Sequence, residues 1–185
     1  HLTFPMDVQT EPVADDLPAA PTAADDRPAA PSPEAARRAA ELLGRSQRPL
    51  IVAGSGVFYS ASGRALADFA TAYGIPYAVP IWDRGSVAEA RPEYIGVLGA
   101  ASGGPPLLED VDLILMLEAA ADYRVGYLES PPLSVDATVI RVDVDADRLH
   151  HMGRADLSIL AEPGPFLDSL LEACAVAEIG GFEDW

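Results

Sequence analysis

The sequence predicts an α/β domain built on an open, mostly parallel sheet with helices on both faces. Three observations carry this. Hydrophobic residues make up 49% of the 185 residues, enough for one real core. Short, wholly apolar runs close on glycine or an acid, as strands buried on both faces do. Between these runs apolar residues recur at helical spacing, so strands and helices alternate.

A helix is predicted over 33–44. Ser32 suits the N-cap, Pro33 the first helical position and Glu34 the positive helix end, with Ala36, Ala39, Ala40 and Leu43 at helical spacing and Gly44 as the stop. Pro49-Leu50-Ile51-Val52-Ala53-Gly54-Ser55-Gly56 reads as a buried parallel strand ending in a glycine turn. A helix follows over 61–73, with Leu66, Phe69, Ala70 and Tyr73 inward and Gly74 as the stop. Residues 75–80 form a second strand, and Trp82-Asp83-Arg84-Gly85 the loop after it. Residues 96–106 hold four glycines and two prolines and read as loop, with a short helix over 105–110. The third and clearest strand is 111–117, followed by a helical segment over 120–128 that Ser130-Pro131-Pro132 ends. Residues 138–144 are the fourth strand, and Asp145 caps a short helix over 146–150. A short strand over 158–161 precedes the last helix, 163–175, whose inward face carries Phe166, Leu167, Leu170, Leu171 and Cys174.

The charge is one-sided. Twenty-nine acids face 12 bases for a formal charge of −17, and every base is arginine. This argues against nucleic acid and anionic membrane surfaces as partners, because both require clustered cations. Without lysine there is no Walker A loop and no Schiff-base chemistry. The single cysteine, Cys174, permits no internal disulfide, which suits the reducing cytoplasm where the chain is expected. As an inward-facing helical residue it reads as a buried inert thiol. No apolar run reaches the about 18–20 residues of a membrane span. The N-terminus is not a signal peptide and lacks an initiator methionine, so the expectation is a segment of something larger. Residues 11–32 are dominated by alanine, proline and aspartate, with Leu17 the one large apolar side chain, and read as a linker whose Asp pairs are solvated.

The chain offers few catalytic constellations. His150 and His151 are adjacent, so their rings diverge by about 100° on a helix and do not converge on a metal. Ser55 follows a strand, but Ala53 and Val57 stand where a nucleophile elbow needs glycine. Gly54-Ser55-Gly56 begins a dinucleotide fingerprint, while Tyr59 replaces its third glycine. A Rossmann-like crevice at the strand C-termini remains, with Asp143 either accepting a ligand hydrogen bond or capping the following backbone.

The order of motifs resembles the central domain of thiamine-diphosphate-dependent enzymes of the acetolactate synthase and oxalyl-CoA decarboxylase type. His1-Leu2-Thr3-Phe4-Pro5-Met6-Asp7-Val8 resembles the segment closing their pyrimidine-binding domain. Arg48-Pro49-Leu50-Ile51-Val52-Ala53-Gly54-Ser55-Gly56 resembles the family's Arg-Pro-apolar-x-x-Gly-x-Gly opening. Gly74-Ile75-Pro76, Arg91-Pro92, Val111-Asp112-Leu113-Ile114-Leu115 and Val139-Ile140-Arg141-Val142-Asp143-Val144-Asp145 follow in family order.

The resemblance implies residues 1–10 as the end of a preceding domain, 11–32 as linker, 33–175 as the central domain and 176–185 as the start of a second linker. It implies a parent carboligase, decarboxylase or lyase (a transferase or lyase), a homodimer or homotetramer using thiamine diphosphate and Mg2+. Those groups are held by N- and C-terminal domains, which are this domain's expected partners. No catalytic residue, metal ligand or cofactor is then expected in this chain, which has a scaffold and subunit-contact role. In some relatives the central domain holds FAD, ADP or the nucleotide of CoA. The matching positions are Gly54, Ser55 and Gly56, the loop after the second strand at Trp82, and Asp143. FAD is disfavoured. Glu118-Ala119-Ala120-Ala121-Asp122 stands where FAD-binding relatives read Gly-x-Arg-Phe-Asp, and Asp83-Arg84-Gly85 stands where a Gly-Lys-Gly is common, so that Asp83 adds another acid. An acid beside a diphosphate costs about 1 kcal/mol at 4 Å in water and more when desolvated, although Arg84 or Arg124 offsets part of it. A nucleotide-binding module and a free-standing α/β enzyme are the alternative readings.

Overall fold

A computed structural model describes residues 5, 7–12, 30–83, 87, 91–99, 107–183 and 185. Residues 13–29 of the expected linker, residues 1–4 and 6 before it, Arg84 and Gly85, and residues 100–106 of the expected loop lie outside these residues.

Six strands form one sheet in the order β3-β2-β1-β4-β5-β6, with every pairing parallel. They are β1 (Pro49–Ala53), β2 (Tyr77–Pro80), β3 (Tyr94–Leu98), β4 (Leu113–Leu117), β5 (Thr138–Asp143) and β6 (Leu157–Leu160). The chain runs outward from β1 to one edge and then returns to lay β4 on the other side of β1. The carboxyl ends of β1 and β4 are thus the point where the winding reverses, and crevices form at such points.

Alternation along the buried strands divides the core. Ile51, Ala53, Leu113, Leu115, Leu117, Ile140 and Val142 meet α1 (Pro33–Leu43), α3 (Gly63–Tyr73) and α5 (Pro163–Val176). Leu50, Val52, Ile114, Met116 and Val139 face the other way, onto Leu108, Val125, Leu128 and Leu133. The expected helix over 120–128 is instead a 3-10 segment, Tyr123–Leu128, broken by non-helical backbone at Val125, Gly126 and Tyr127. Leu107–Glu109 is likewise one 3-10 turn. Among the described residues the second face is therefore covered mainly by short turns.

The predicted caps act as expected. The Ser32 hydroxyl accepts from the Ala35 amide at 3.1 Å. Asp145 accepts from the Asp147 amide at 2.9 Å at the start of α4 (Ala146–His151). Two elements depart from expectation. The glycine turn opens at once into a short helix, α2 (Ser55–Tyr59). Residues 94–98, read partly as loop, form β3. This is a half-exposed edge strand with Gly96 at φ 107° and a register shift in its partner between Tyr77 and Ala78, features that erase the alternation a strand is read from.

Asp112 anchors the start of β4. Its carboxylate accepts from the Ser46 hydroxyl and from the Gln47 and Arg48 amides, both at 2.9 Å. Burial pushes its pKa up, but these three donors outweigh burial and hold it below the ordinary aspartate value. The segment after α5, expected as linker, lies back on the domain. The Phe182 amide donates to the Tyr73 carbonyl at 2.7 Å and the Trp185 indole to the Pro49 carbonyl at 2.8 Å.

Candidate functional site

A crevice of about 540 Å³ lies at the carboxyl ends of β1, β4 and β5. Ser55, Gly56 and Tyr59 line it from β1, Glu118 to Ala120 and Arg124 from β4, and Asp143, Asp145, Arg148 and Met152 from β5. Asp83 enters from β2.

Of the residues the sequence nominates, Ser55, Gly56 and Asp143 meet in this crevice. Gly54 and Trp82 do not line it. Gly54 sits behind it, where the β1 and β4 backbones converge. A Cβ there would lie 2.0 Å from the Glu118 carbonyl oxygen, so only glycine allows the approach. Trp82 is 71% exposed on the rim, with φ at 79°.

Gly56 has a different neighbour from the one a phosphate cradle would supply. A Cβ on Gly56 would lie 1.6 Å from Glu118 Oε2 and 2.3 Å from Glu118 Cβ. The Glu118 side chain therefore lies on the bare α-carbon of the glycine turn. Its backbone is left-handed, at φ 43°, and among the described residues its carboxyl accepts no hydrogen bond. Burial, then the charges of Asp143 and Glu162, push its pKa from 4.5 up to about 7, against a smaller opposing pull from Arg148.

The other charges are satisfied by the chain itself. The Ser55 hydroxyl donates to Asp83 Oδ1, and Arg124 donates to Asp83 Oδ2 at 3.0 Å. The Arg124 guanidinium also meets Asp122, at 3.0 Å, and the Ile81 carbonyl, at 2.8 Å. The repulsion expected from Asp83 is thus offset by Arg124, and Glu118 is the acid that matters. Asp143 is 4% exposed and caps the following backbone, accepting from the Asp145 amide at 2.9 Å, with Arg148 at 3.9 Å. Burial raises its pKa, with the Asp145 amide and Arg148 pulling the other way.

Arg141, which the sequence gave no reason to single out, is buried in β5. It donates to the carbonyls of Arg148, at 2.9 Å, and Met152, closing the C-terminal end of α4.

These residues do not suit a diphosphate with its metal. The glycine turn is covered by a side chain, and among the described residues two of the three lining arginines are already engaged. Among the described residues no three His, Cys, Asp or Glu side chains are grouped to hold a metal. His150 and His151 are exposed, and Cys174 is fully buried, its thiol pushed up to about 12 by that burial. No described helix is long and apolar enough to cross a membrane.

Residues 36–170 match the family model for the thiamine pyrophosphate enzyme central domain. A probable 2-ketoarginine decarboxylase of Pseudomonas aeruginosa is 29% identical over 171 residues, covering 92% of this chain and 30% of that protein. A probable acetolactate synthase large subunit of Methanocaldococcus jannaschii is 26% identical over 194 residues, covering 100% of this chain and 32% of that protein. The chain thus spans about a third of the length of these curated relatives. Among solved structures, a putative thiamin diphosphate-dependent enzyme isolated from Mycobacterium smegmatis superposes with a TM-score of 0.70 at 22% identity, covering 85% of this chain and 30% of that one. That likeness shows the shared fold. The family match, covering most of the chain, places it in the thiamine pyrophosphate enzyme central-domain family, related to acetolactate synthase.

Proposed function

We propose that this domain is the scaffold and subunit-contact part of a cytoplasmic, thiamine-diphosphate-dependent carboligase, decarboxylase or lyase resembling acetolactate synthase. In this reading it performs no catalysis itself. Thiamine diphosphate and Mg2+ belong to N- and C-terminal domains of the parent, a homodimer or homotetramer. The observation that carries the reading is the Glu118 side chain lying on Gly56, at the point where the sheet reverses. A fold that covers its own glycine turn with a carboxyl contributes position and surface rather than a reacting group.

The chain's residues support that role. Asp112 ties the 46–48 loop to β4, Arg141 closes α4, and Arg124 bridges the loops after β2 and β4. Each fixes a loop against the sheet, so the domain presents a rigid surface. The size and position of the crevice favour a second reading, an adenine-nucleotide site for ADP, FAD or CoA.

One experiment separates them. The purified chain is assayed with thiamine diphosphate, Mg2+ and a 2-oxo acid for carbon dioxide release, and titrated calorimetrically with ADP, FAD and CoA. The scaffold reading expects no turnover and no saturable heat. Turnover, or micromolar binding of any of the three, would overturn it.

A further inference from the structure

Among the described residues, five aromatic side chains are largely exposed: Phe58, Tyr59, Trp82, Tyr123 and Tyr127. All five lie on segments leaving the carboxyl ends of β1, β2 and β4, three strands adjacent in the sheet. Val144, half exposed, follows β5. Aromatic exposure gathered at one end of a sheet is the pattern of a contact surface. The fold also holds two of these rings in unfavourable backbone. Trp82 has φ 79° and Tyr127 φ 56°, in a region bulky residues avoid, and such strain clusters where a surface is used.

The charges enclosed by this rim define what covers it. Asp83, Glu118, Asp143 and Asp145 line the crevice. Of the arginines there, Arg124 is held by Asp83 and Asp122, and Arg141 by two carbonyls. Arg148 stands 3.9 Å from Asp143 and 3.7 Å from Asp145. The Glu118 carboxyl accepts no hydrogen bond among the described residues. A second copy of a chain of charge −17, or an anionic bilayer, would bring more negative charge to this face. A guanidinium brings the opposite sign, pairs with carboxylates and stacks on aromatic rings.

We propose that the carboxyl-end face of the sheet docks an arginine-bearing peptide segment of a neighbouring protein domain, whose guanidinium enters the crevice beside Glu118 between Tyr59 and the rim aromatics. This rests on the contact role proposed above and assigns that role a face and a partner chemistry. The site does not depend on thiamine or on a nucleotide.

The test uses the full chain and a capped hexapeptide of alternating arginine and alanine, with a glutamate–alanine hexapeptide as the comparison. Amide spectra recorded during titration locate the contact. The expected result is saturable shifts at Tyr59, Trp82, Glu118 and Tyr123 with the arginine peptide and none with the acidic one. Tyr59→Ala combined with Tyr123→Ala, which leaves the net charge unchanged, weakens binding about tenfold. Glu118→Gln weakens it further, while Glu172→Gln on α5 leaves it unchanged. No binding, shifts scattered over the acidic surface, or affinity insensitive to the aromatic pair would overturn the proposal. Nucleotide binding in the separate calorimetric assay would overturn the scaffold reading and leave the peptide result standing. Failure of the peptide with nucleotides also unbound would overturn only the assignment of this face.

Discussion

Gly56 and Glu118 should be energetically coupled. A methyl group at Gly56 would lie 1.6 Å from Glu118 Oε2 and 2.3 Å from Glu118 Cβ. The carboxyl can swing aside, but the Cβ is fixed to the β4 backbone, so Gly56→Ala must shift the β1–α2 turn against the end of β4. Overpacking of this kind costs about 1–3 kcal/mol. The better helix propensity of alanine returns about 0.5–1 kcal/mol, leaving a net loss near 1–2 kcal/mol. Glu118→Gly removes the obstacle and relieves a left-handed backbone worth about 1 kcal/mol. In that background Gly56→Ala should be neutral or stabilising. Urea unfolding of the four proteins then gives a coupling energy of at least about 1 kcal/mol. Additive effects, with Gly56→Ala equally costly in both backgrounds, would refute the contact that covers the glycine turn.

Other expectations follow from single side chains. Glu118 has its folded pKa raised from 4.5 to about 7, so the folded state binds its proton more tightly than the unfolded chain does. Its contribution therefore turns unfavourable as pH rises from 4.5 towards 7. Urea midpoints measured across that interval should fall less in Glu118→Gln than in the unmodified protein. Asp112 behaves oppositely. Its depressed pKa stabilises the fold above the unfolded value of 3.8, and that contribution is lost as pH falls through the lower folded value. Asp112→Ala should cost about 1–3 kcal/mol near neutrality by denaturant titration, and much less in strong acid. Arg124→Met breaks a largely buried pairing with Asp83 and Asp122 and should cost about 3 kcal/mol in thermal or urea unfolding. Cys174, with its thiol at about 12, should react with a thiol reagent only as fast as the protein unfolds.

Much of the fold was legible because local chemistry and burial agree there. Leu113–Leu117 is apolar because both its faces are covered, and Ser32 and Asp145 are caps whose donors lie within three residues. β3 was not legible, because an edge strand with a bulged partner and a left-handed Gly96 carries no alternation. α2 was hidden by the glycines that also make its turn. The crevice was half visible. Gly54-Ser55-Gly56 and Asp143 could be placed at strand ends from the order of apolar runs, and Glu118 could be read as a misplaced acid. Its contact with Gly56 joins residues 62 positions apart in the chain, as numbered in the sequence, and depends on which strands adjoin. The same holds for Asp112 and Ser46, and for Arg124 and Asp83. Trp82 was placed in the right loop but faces outward, since strand position does not determine where a loop side chain points.

The most direct test of a glycine turn covered by the Glu118 carboxyl is an amide NMR titration of the chain with ADP, followed at Gly54, Ser55, Gly56, Glu118 and Asp143. A covered turn predicts no shift at these five positions at any ADP concentration that leaves the rest of the spectrum unchanged. Saturable shifts at Gly56 and Glu118 in the micromolar range would contradict it, showing that the carboxyl gives way to a diphosphate.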